Sequence, residues 1–550
     1  MSVPGTASAL RRSLRQTKPA LEAVRSRSRT EPDPERTLLS DCISMPTAPE
    51  ACGTLSYCVQ RRSCAGEAAL HRRAVLRATA MTAAGFALPP LRAFAQSKIS
   101  PPMQTLSAHM AAAGSGLLPD EVAEHAKHHL IDTLAAMVSG SELLPGQAAQ
   151  RYIRAHGGKG AATIAGTMLT AAPPDAALAN GVMAHADETD DSHNASRSHP
   201  GCAIVPAALA VAEELGVGGA RFLRAVTLGY DIGTRVVLAM GGAEFSYESS
   251  LATHSIAGTF GAAAAAACTA GLGAPQMRWV MDYTAQQSSG IVAWRRDTDH
   301  IEKAFVFGGM TARNGVTAAL VVRSGWNGVE DIFSGDDNFF KAYAPKAQPE
   351  RLVEKLGDRY EIVQTDIKKW TVGSPIQGPL DGIEAIRGKR AFAADQVKRV
   401  TVRLAPSVAA VVDNRDIPDI CLQHMVAVML VDKTVSFHAA HDKPRMQDAA
   451  ILRERAKVDL VRDGELAQFL PVRVAIVEIE LADGTRLSER ISAVRGTPRN
   501  PMSRTEVMEK ARDLTAPILG RDKSKGLIDT IYTIETVTDI RNLRTFLQPG

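Results

Sequence analysis

HADETDDSHNASRSHPG, residues 185–201, sets four carboxylates and three histidines in seventeen positions. A solvated loop, a metal site and an acid–base centre all draw on these residue types, so the flanking sequence has to separate them. Ser, Asn and Asp are turn formers, and runs of charge usually face water. Here, however, the stretch is entered from a small-residue helix (177–186) and leaves through His199-Pro200-Gly201 into another, VPAALAVAEE. A charged turn between two buried helices is expected at an internal junction, where crowded like charges raise the pKa of some carboxyls and poise them for proton transfer. A metal site is not favoured. No HExxH pair lies on one helix face, and the oxygen spacing of a calcium loop is missing around Asp187, Glu188, Asp190 and Asp191.

Working outward, the period is helical from about 104 to 345. In PDEVAEHAKHHLIDTLAAMVSG, Val122, Ala126, Leu130, Leu134 and Val138 recur every four residues, with Pro119-Asp120 opening the helix and Gly140 closing it. Later segments repeat the theme with Ala and Gly on their contact faces, which predicts closely packed helices rather than a sheet with crossovers. After about 370 the pattern alternates. VKRVTVRLAP and VRVAIVEIELADGTRLSERISAV read as strands, the second as a hairpin turning at Ala482-Asp483-Gly484, and CLQHMVAVMLV has a helical apolar face. Ser503 and Glu506 form a capping box that opens a closing helix. The expected fold is mainly α: an all-helical large domain (96–365), an inserted smaller α+β lid domain (366–500), and helices at 501–550 that return to the first.

Bulk properties agree with a globular protein, 45% hydrophobic and 22% charged, with a net charge of +4. Residues 1–95 hold fourteen Lys/Arg against seven Asp/Glu, which leaves 49 bases and 52 acids for 96–550. That slightly acidic body gives no reason to expect nucleic acid. Residues 1–70 lack periodicity and read as a disordered or over-read leader. Residues 71–95 resemble a twin-arginine export signal: Arg72-Arg73, an apolar Ala-rich run, and Ala93-Phe94-Ala95 before Gln96. The expected location is periplasmic or exported if that signal is genuine, and cytoplasmic otherwise. The body keeps only Cys202, Cys268 and Cys421, without a CxxC pair for zinc or an iron–sulfur cluster, and no eighteen-residue apolar run that would span a membrane. Neither GxGxxG nor G-x-S-x-G is present; GVGG (216–219) and GLG (271–273) read as helix-ending turns.

HADETDDSH…HPG…PAALAVAEELG resembles the signature of the MmgE/PrpD family, whose usual form is HALDFDDTH…HP before an Ala-rich helix. The likeness continues in order through His254 in THSIAGTFGAAAAAA, Lys303 in KAFVFGGMTARNGVTAAL, Lys368 in IKKWTVGSP, PDICLQHMVAVML and VRGTPRNPMS. It covers roughly 100–550. The resemblance implies a helical domain with a smaller lid, a homodimer, an active site between the domains, and no metal or organic cofactor. It places Glu188, Ser192, His199, His254, Lys303 and Lys368 along the site; catalytic roles are expected of His199, His254, Lys303 and Glu188, and substrate binding of Ser192, Lys368 and Asp191. Glu188 stands for the family's Asp and Ser192 for its Thr. The interval from Lys303 to Gly309 is one residue longer than usual, Lys369 competes with Lys368, and Thr371 replaces a frequent Pro.

These types suit elimination from a small polycarboxylate. Lys303, Lys368 and protonated histidines would stabilise developing anionic charge, His199 and His254 would share acid and base roles, Glu188 would orient a histidine, and Ser192 would hydrogen-bond the substrate. The expected activity is a cofactor-free hydro-lyase dehydrating a 2-methylcitrate-like hydroxy-tricarboxylate. A cis-aconitate-type decarboxylase or an isomerase is the alternative on the same scaffold, and a non-catalytic polycarboxylate-binding protein the alternative of another class. Arg295-Arg296 reads as an exposed turn with a conceivable carboxylate-binding role, and His438 with His441 as a structural pair between strand and loop. Changing Arg72-Arg73 to Lys-Lys is expected to hold the protein in the cytoplasm, as read by cell fractionation; continued export removes the twin-arginine reading.

Overall fold

A computed structural model of the protein describes residues 99–550. The expected leader and export signal lie outside them. Pro119 precedes the helix Asp120–Gly140, whose first turn carries Asp120 and Glu121, the charge sign a helix N-terminus favours. At the centre, the helix Thr253–Ala270 packs against Gly201–Leu215, Gly219–Met240 and Met310–Arg323. Its run Ala262 to Ala267 has no exposed surface. Alanine there is a packing choice, because a larger side chain would force the helix axes apart. The helix-ending turns are as expected, with Gly216 and Gly271 in the left-handed region at φ 64° and 74°.

Helices Pro173–Ala184 and Ile301–Ala304 deliver the two halves of the candidate site, and a π-helical turn, Phe305–Gly309, joins the second to Met310–Arg323. The pair Gly181 and Gly308 sets the crossing: a methyl on either would collide with the other's carbonyl oxygen. By length and composition Ile301–Arg323 reaches the minimum for a membrane span, yet it packs here between Pro173–Ala184, Thr253–Ala270 and Ala274–Gln287.

After a short antiparallel pair, β1 (Ala162–Thr163) with β2 (Thr170–Ala171), the strands return only in the last third. There β3 (Val397–Leu404), β4 (Val458–Arg462), β5 (Ala475–Leu481) and β6 (Arg486–Ile491) form one sheet in the order β4-β3-β5-β6. β3 runs parallel to β4 and antiparallel to β5, and β5–β6 is the expected hairpin, with Gly484 at φ 84°. Alternate residues of β5 are buried under the helix Ser374–Lys389, while Leu422–Asp432 covers β4. This region has its own apolar core, from Trp370 to Leu481. The Ser503–Glu506 capping box then opens Arg504–Leu519, which packs back on Asp120–Gly140.

The fold is mainly α, and the described residues fall within one compact unit in which the α+β region keeps its own core. The seam is stitched by polar bonds. Ser192 and Asp366 exchange backbone hydrogen bonds at 3.0 and 2.8 Å, and Arg473 donates to Asn194 Oδ1 at 2.7 Å. Gly181→Ala and Gly308→Ala should each cost roughly 1–3 kcal/mol of stability by overpacking the crossing. Denaturant midpoints measure this, and unchanged midpoints would mean the two helices are not in contact.

Candidate active site

The charged turn is buried rather than solvated. His185, Thr189, Asp190 and Asp191 have no exposed surface, and Asp187 and Glu188 have 3% and 6%. Each carboxylate therefore requires its own partner. Glu188 pairs with the Lys303 ammonium and lies 3.7 Å from Lys368 Nζ, which also hydrogen-bonds the Glu188 carbonyl at 2.9 Å. Asp190 lies between two imidazoles, 2.8 Å from His185 Nδ1 and 3.2 Å from His199 Nδ1, with Lys368 Nζ 3.6 Å away. Asp191 accepts from Tyr230 Oη at 2.5 Å and from the Gly201 amide at 3.0 Å, and meets His129 Nδ1 at 2.9 Å. Asp187 faces His441 Nε2 at 2.9 Å, a charge pair rather than an aligned hydrogen bond. Burial alone would raise these acids. The charges of Lys303 and Lys368 instead hold Glu188 well below the usual carboxylate range, as the imidazoles of His185 and His199 and the Lys368 ammonium around it do Asp190. The sequence expectation of raised carboxyls is thus reversed within the turn.

Above the turn stands an aromatic wall. Phe307, in the π-helical turn, is stacked between His185 (centroids 4.5 Å apart) and His254 (4.1 Å), and meets Trp294 edge-on at 4.8 Å. His199 lies 5.5 Å from His254, and Lys303 Nζ 5.4 Å from the Phe307 ring. His199, His254 and Lys303, from three distant segments, therefore converge. Burial pushes His199 down to about 4 despite Asp190, and drives His254 and His300 well below the imidazole range. Burial leaves these three rings neutral at physiological pH, so at Glu188 the positive charge comes from Lys303 and Lys368, and the expected contribution of protonated histidines is corrected for His199 and His254. Two non-glycine residues beside this site, Arg197 and His300, hold left-handed backbones at φ 47° and 61°, strain of a kind that concentrates at functional sites.

Two sets, His185/Asp190/His199 and His185/Glu188/His300, have ligand atoms within 4.8 Å of one another and could in geometry hold a metal ion. Lys303 and Lys368 already lie against the same carboxylates and provide their counter-charge.

The MmgE/PrpD N-terminal domain matches residues 104–352, and the MmgE/PrpD C-terminal domain residues 370–535. The chain belongs to the MmgE/PrpD family. Among its relatives, a cis-aconitate decarboxylase-like protein of Aspergillus oryzae is 25% identical over 78% of this chain and 93% of its own length. Human cis-aconitate decarboxylase is 24% identical over 79% and 92%, and that of Aspergillus terreus 23% identical over 78% and 92%.

The interval from Lys303 to Gly309, one residue longer than the usual MmgE/PrpD spacing, contains the π-helical turn, and Lys303 pairs with Glu188. Lys368 faces the site, whereas Lys369 pairs with Glu384 and stacks on Trp370. Glu188 binds lysines; the group that orients histidines is Asp190, which sequence reasoning left unassigned. Asp191 is engaged by Tyr230, His129 and the Gly201 amide, at the start of Gly201–Leu215. Ser192 and Lys368 border a neighbouring cavity of about 480 Å³, which also touches Asp366, Gln377 and Arg473 but not His199, His254 or Lys303.

His441 corrects another expectation. It sits on the short helix Phe437–His441 rather than in a structural strand-to-loop pair, and it reaches Asp187. Asp419, pushed up to about 7 by burial, is a further carboxyl that sequence reasoning missed; its charge is felt by His441. Nothing local marks either one, although Asp419 lies in the family block PDICLQHMVAVML. Burial opposes a charge on His441, but Asp187 and then Asp419 raise it to about 9. A folded pKa above the unfolded 6.5 stabilises fully below about pH 6.5, and the contribution is lost as pH rises through about 9. Stability should therefore fall by on the order of 2–3 kcal/mol between pH 6 and 10, and that slope should flatten in His441→Gln. Denaturant titrations across that range measure it, and parallel curves would refute the pair.

Proposed function

We propose that the chain is a cofactor-free lyase that removes CO2 from a small unsaturated polycarboxylate of the cis-aconitate class. The supporting observation is the wall of Phe307 between His185 and His254, next to the Lys303 ammonium. A carboxylate held beside this buried stack is poorly solvated, and it loses its charge on leaving as CO2, so the transition state is favoured over the ground state. The electron pair of the breaking C–C bond passes into the conjugated skeleton towards a remaining carboxylate. Lys303, its side chain 15% exposed, then gives a proton to the carbanion carbon and regains one from solvent. Glu188 holds that ammonium in place, and Lys368 adds positive potential beside it. The names of the relatives support the same reading.

Dehydration of a 2-methylcitrate-like acid is the second reading. The neutral state of His199 and His254 favours it, since a neutral imidazole can remove the proton alpha to a carboxylate. Residues 96–550 should release CO2 from cis-aconitate, and a chelator should not abolish the activity. Lys303→Ala should lower turnover by about 10²-fold or more with the fold retained. An enoate formed from 2-methylcitrate without CO2 would select the second reading. Product from neither acid would overturn both.

A further inference from the structure

Arg197 is a charged group near the candidate site that the mechanism leaves unused. It closes the tight turn 193–198, in which His193 and Ser198 pair and the Arg197 amide bonds the Asn194 carbonyl at 3.2 Å. Thr253 Oγ1 donates to the Arg197 carbonyl at 3.1 Å, which ties the turn to the residue before His254. The strained backbone at φ 47° is thus held from both sides. The guanidinium stacks on Tyr247, 4.1 Å from the ring centroid, and its Nη1 is buried without a hydrogen-bond partner. Among the described residues no carboxylate pairs with it. Burial disfavours its charge and Tyr247 supports it, while the charged neighbours it feels, Arg473 and Arg295, are both cations. Its own charge is felt in turn by His254. A half-buried guanidinium with an orphaned donor and like-charged neighbours lacks the anion that would offset its desolvation.

We propose that Arg197, flanked by Arg295, binds a carboxylate of the substrate that does not react, so that the site selects acids with one more carboxylate than the reacting unit needs. Lys303 and Lys368 cannot serve this group alone, because each already meets Glu188 and Lys368 also meets Asp190. A guanidinium fork suits a carboxylate by presenting two parallel N–H donors, and the rigid turn pre-sets its position. The inference rests on the reading of the site as one for polycarboxylates, and it adds which residue counts the carboxylates.

Calorimetric binding of cis-aconitate and of (Z)-glutaconate tests it on the full chain, because glutaconate keeps the departing carboxymethyl carboxylate and the conjugated acceptor carboxylate but lacks the one on the central carbon. The unaltered protein should bind cis-aconitate more tightly than glutaconate. Arg197→Gln should weaken cis-aconitate about 10- to 100-fold, to the level of glutaconate, and leave glutaconate unchanged. Arg197→Lys, which keeps the charge but loses the fork, should fall between them, and it supplies the readout if the glutamine variant does not fold. Preference for cis-aconitate that persists in both variants would overturn the role of Arg197 and leave the polycarboxylate reading standing. Equal affinity for the two acids in the unaltered protein would also overturn it. Binding of neither acid would remove the polycarboxylate reading together with the inference.

Discussion

Four buried carboxylates in five residues form the constraint on which the rest of the structure turns. Unpaired, Asp187, Glu188, Asp190 and Asp191 would each carry a large desolvation cost, beyond what a marginally stable fold sustains. The chain meets this with partners from far away in sequence: His129 and Tyr230, Lys303, Lys368 and His441; Lys510, paired with Asp132, adds a bond to the turn's backbone at the Thr189 carbonyl, 3.0 Å. The partners come from the helical region, the α+β region and the closing helices, so the turn brings all three together. The same pairing sets the ammonium group of Lys303 and the oriented His199 imidazole beside the aromatic wall.

The four carboxylates divide their work by position. Asp191 and Asp187 are fixtures, one locking the start of Gly201–Leu215 and the other tying in Phe437–His441. Glu188 and Asp190 lie between them and hold the side chains that approach the aromatic wall. Asp190 also shows how a single buried acid sets two imidazoles at once, His185 and His199, with ring centroids 5.0 Å apart.

The fold was legible where its cause is local. The four-residue period of Asp120–Gly140, the β5–β6 hairpin turn and the Ser503–Glu506 box each rest on neighbouring residues, and each is found as read. The convergence of His199, His254 and Lys303 was reached through the family blocks, not through period or spacing. Asp190, His300, His441 and Asp419 escaped because their roles depend on contacts across the chain, which leave no periodic trace. The ionisation states of His199 and His254 were misjudged for a related reason. Residue type suggests a proton near neutrality, and only the packed environment reveals how much water has been removed.

The five-residue turn Phe305–Gly309 accommodates one added residue by widening the helix locally, so the segments before and after it keep their own angular settings. The ring between the two imidazoles is thus carried by backbone wound differently from the helix that bears Lys303 and from the one that follows, so its aim is set apart from the placement of the ammonium group.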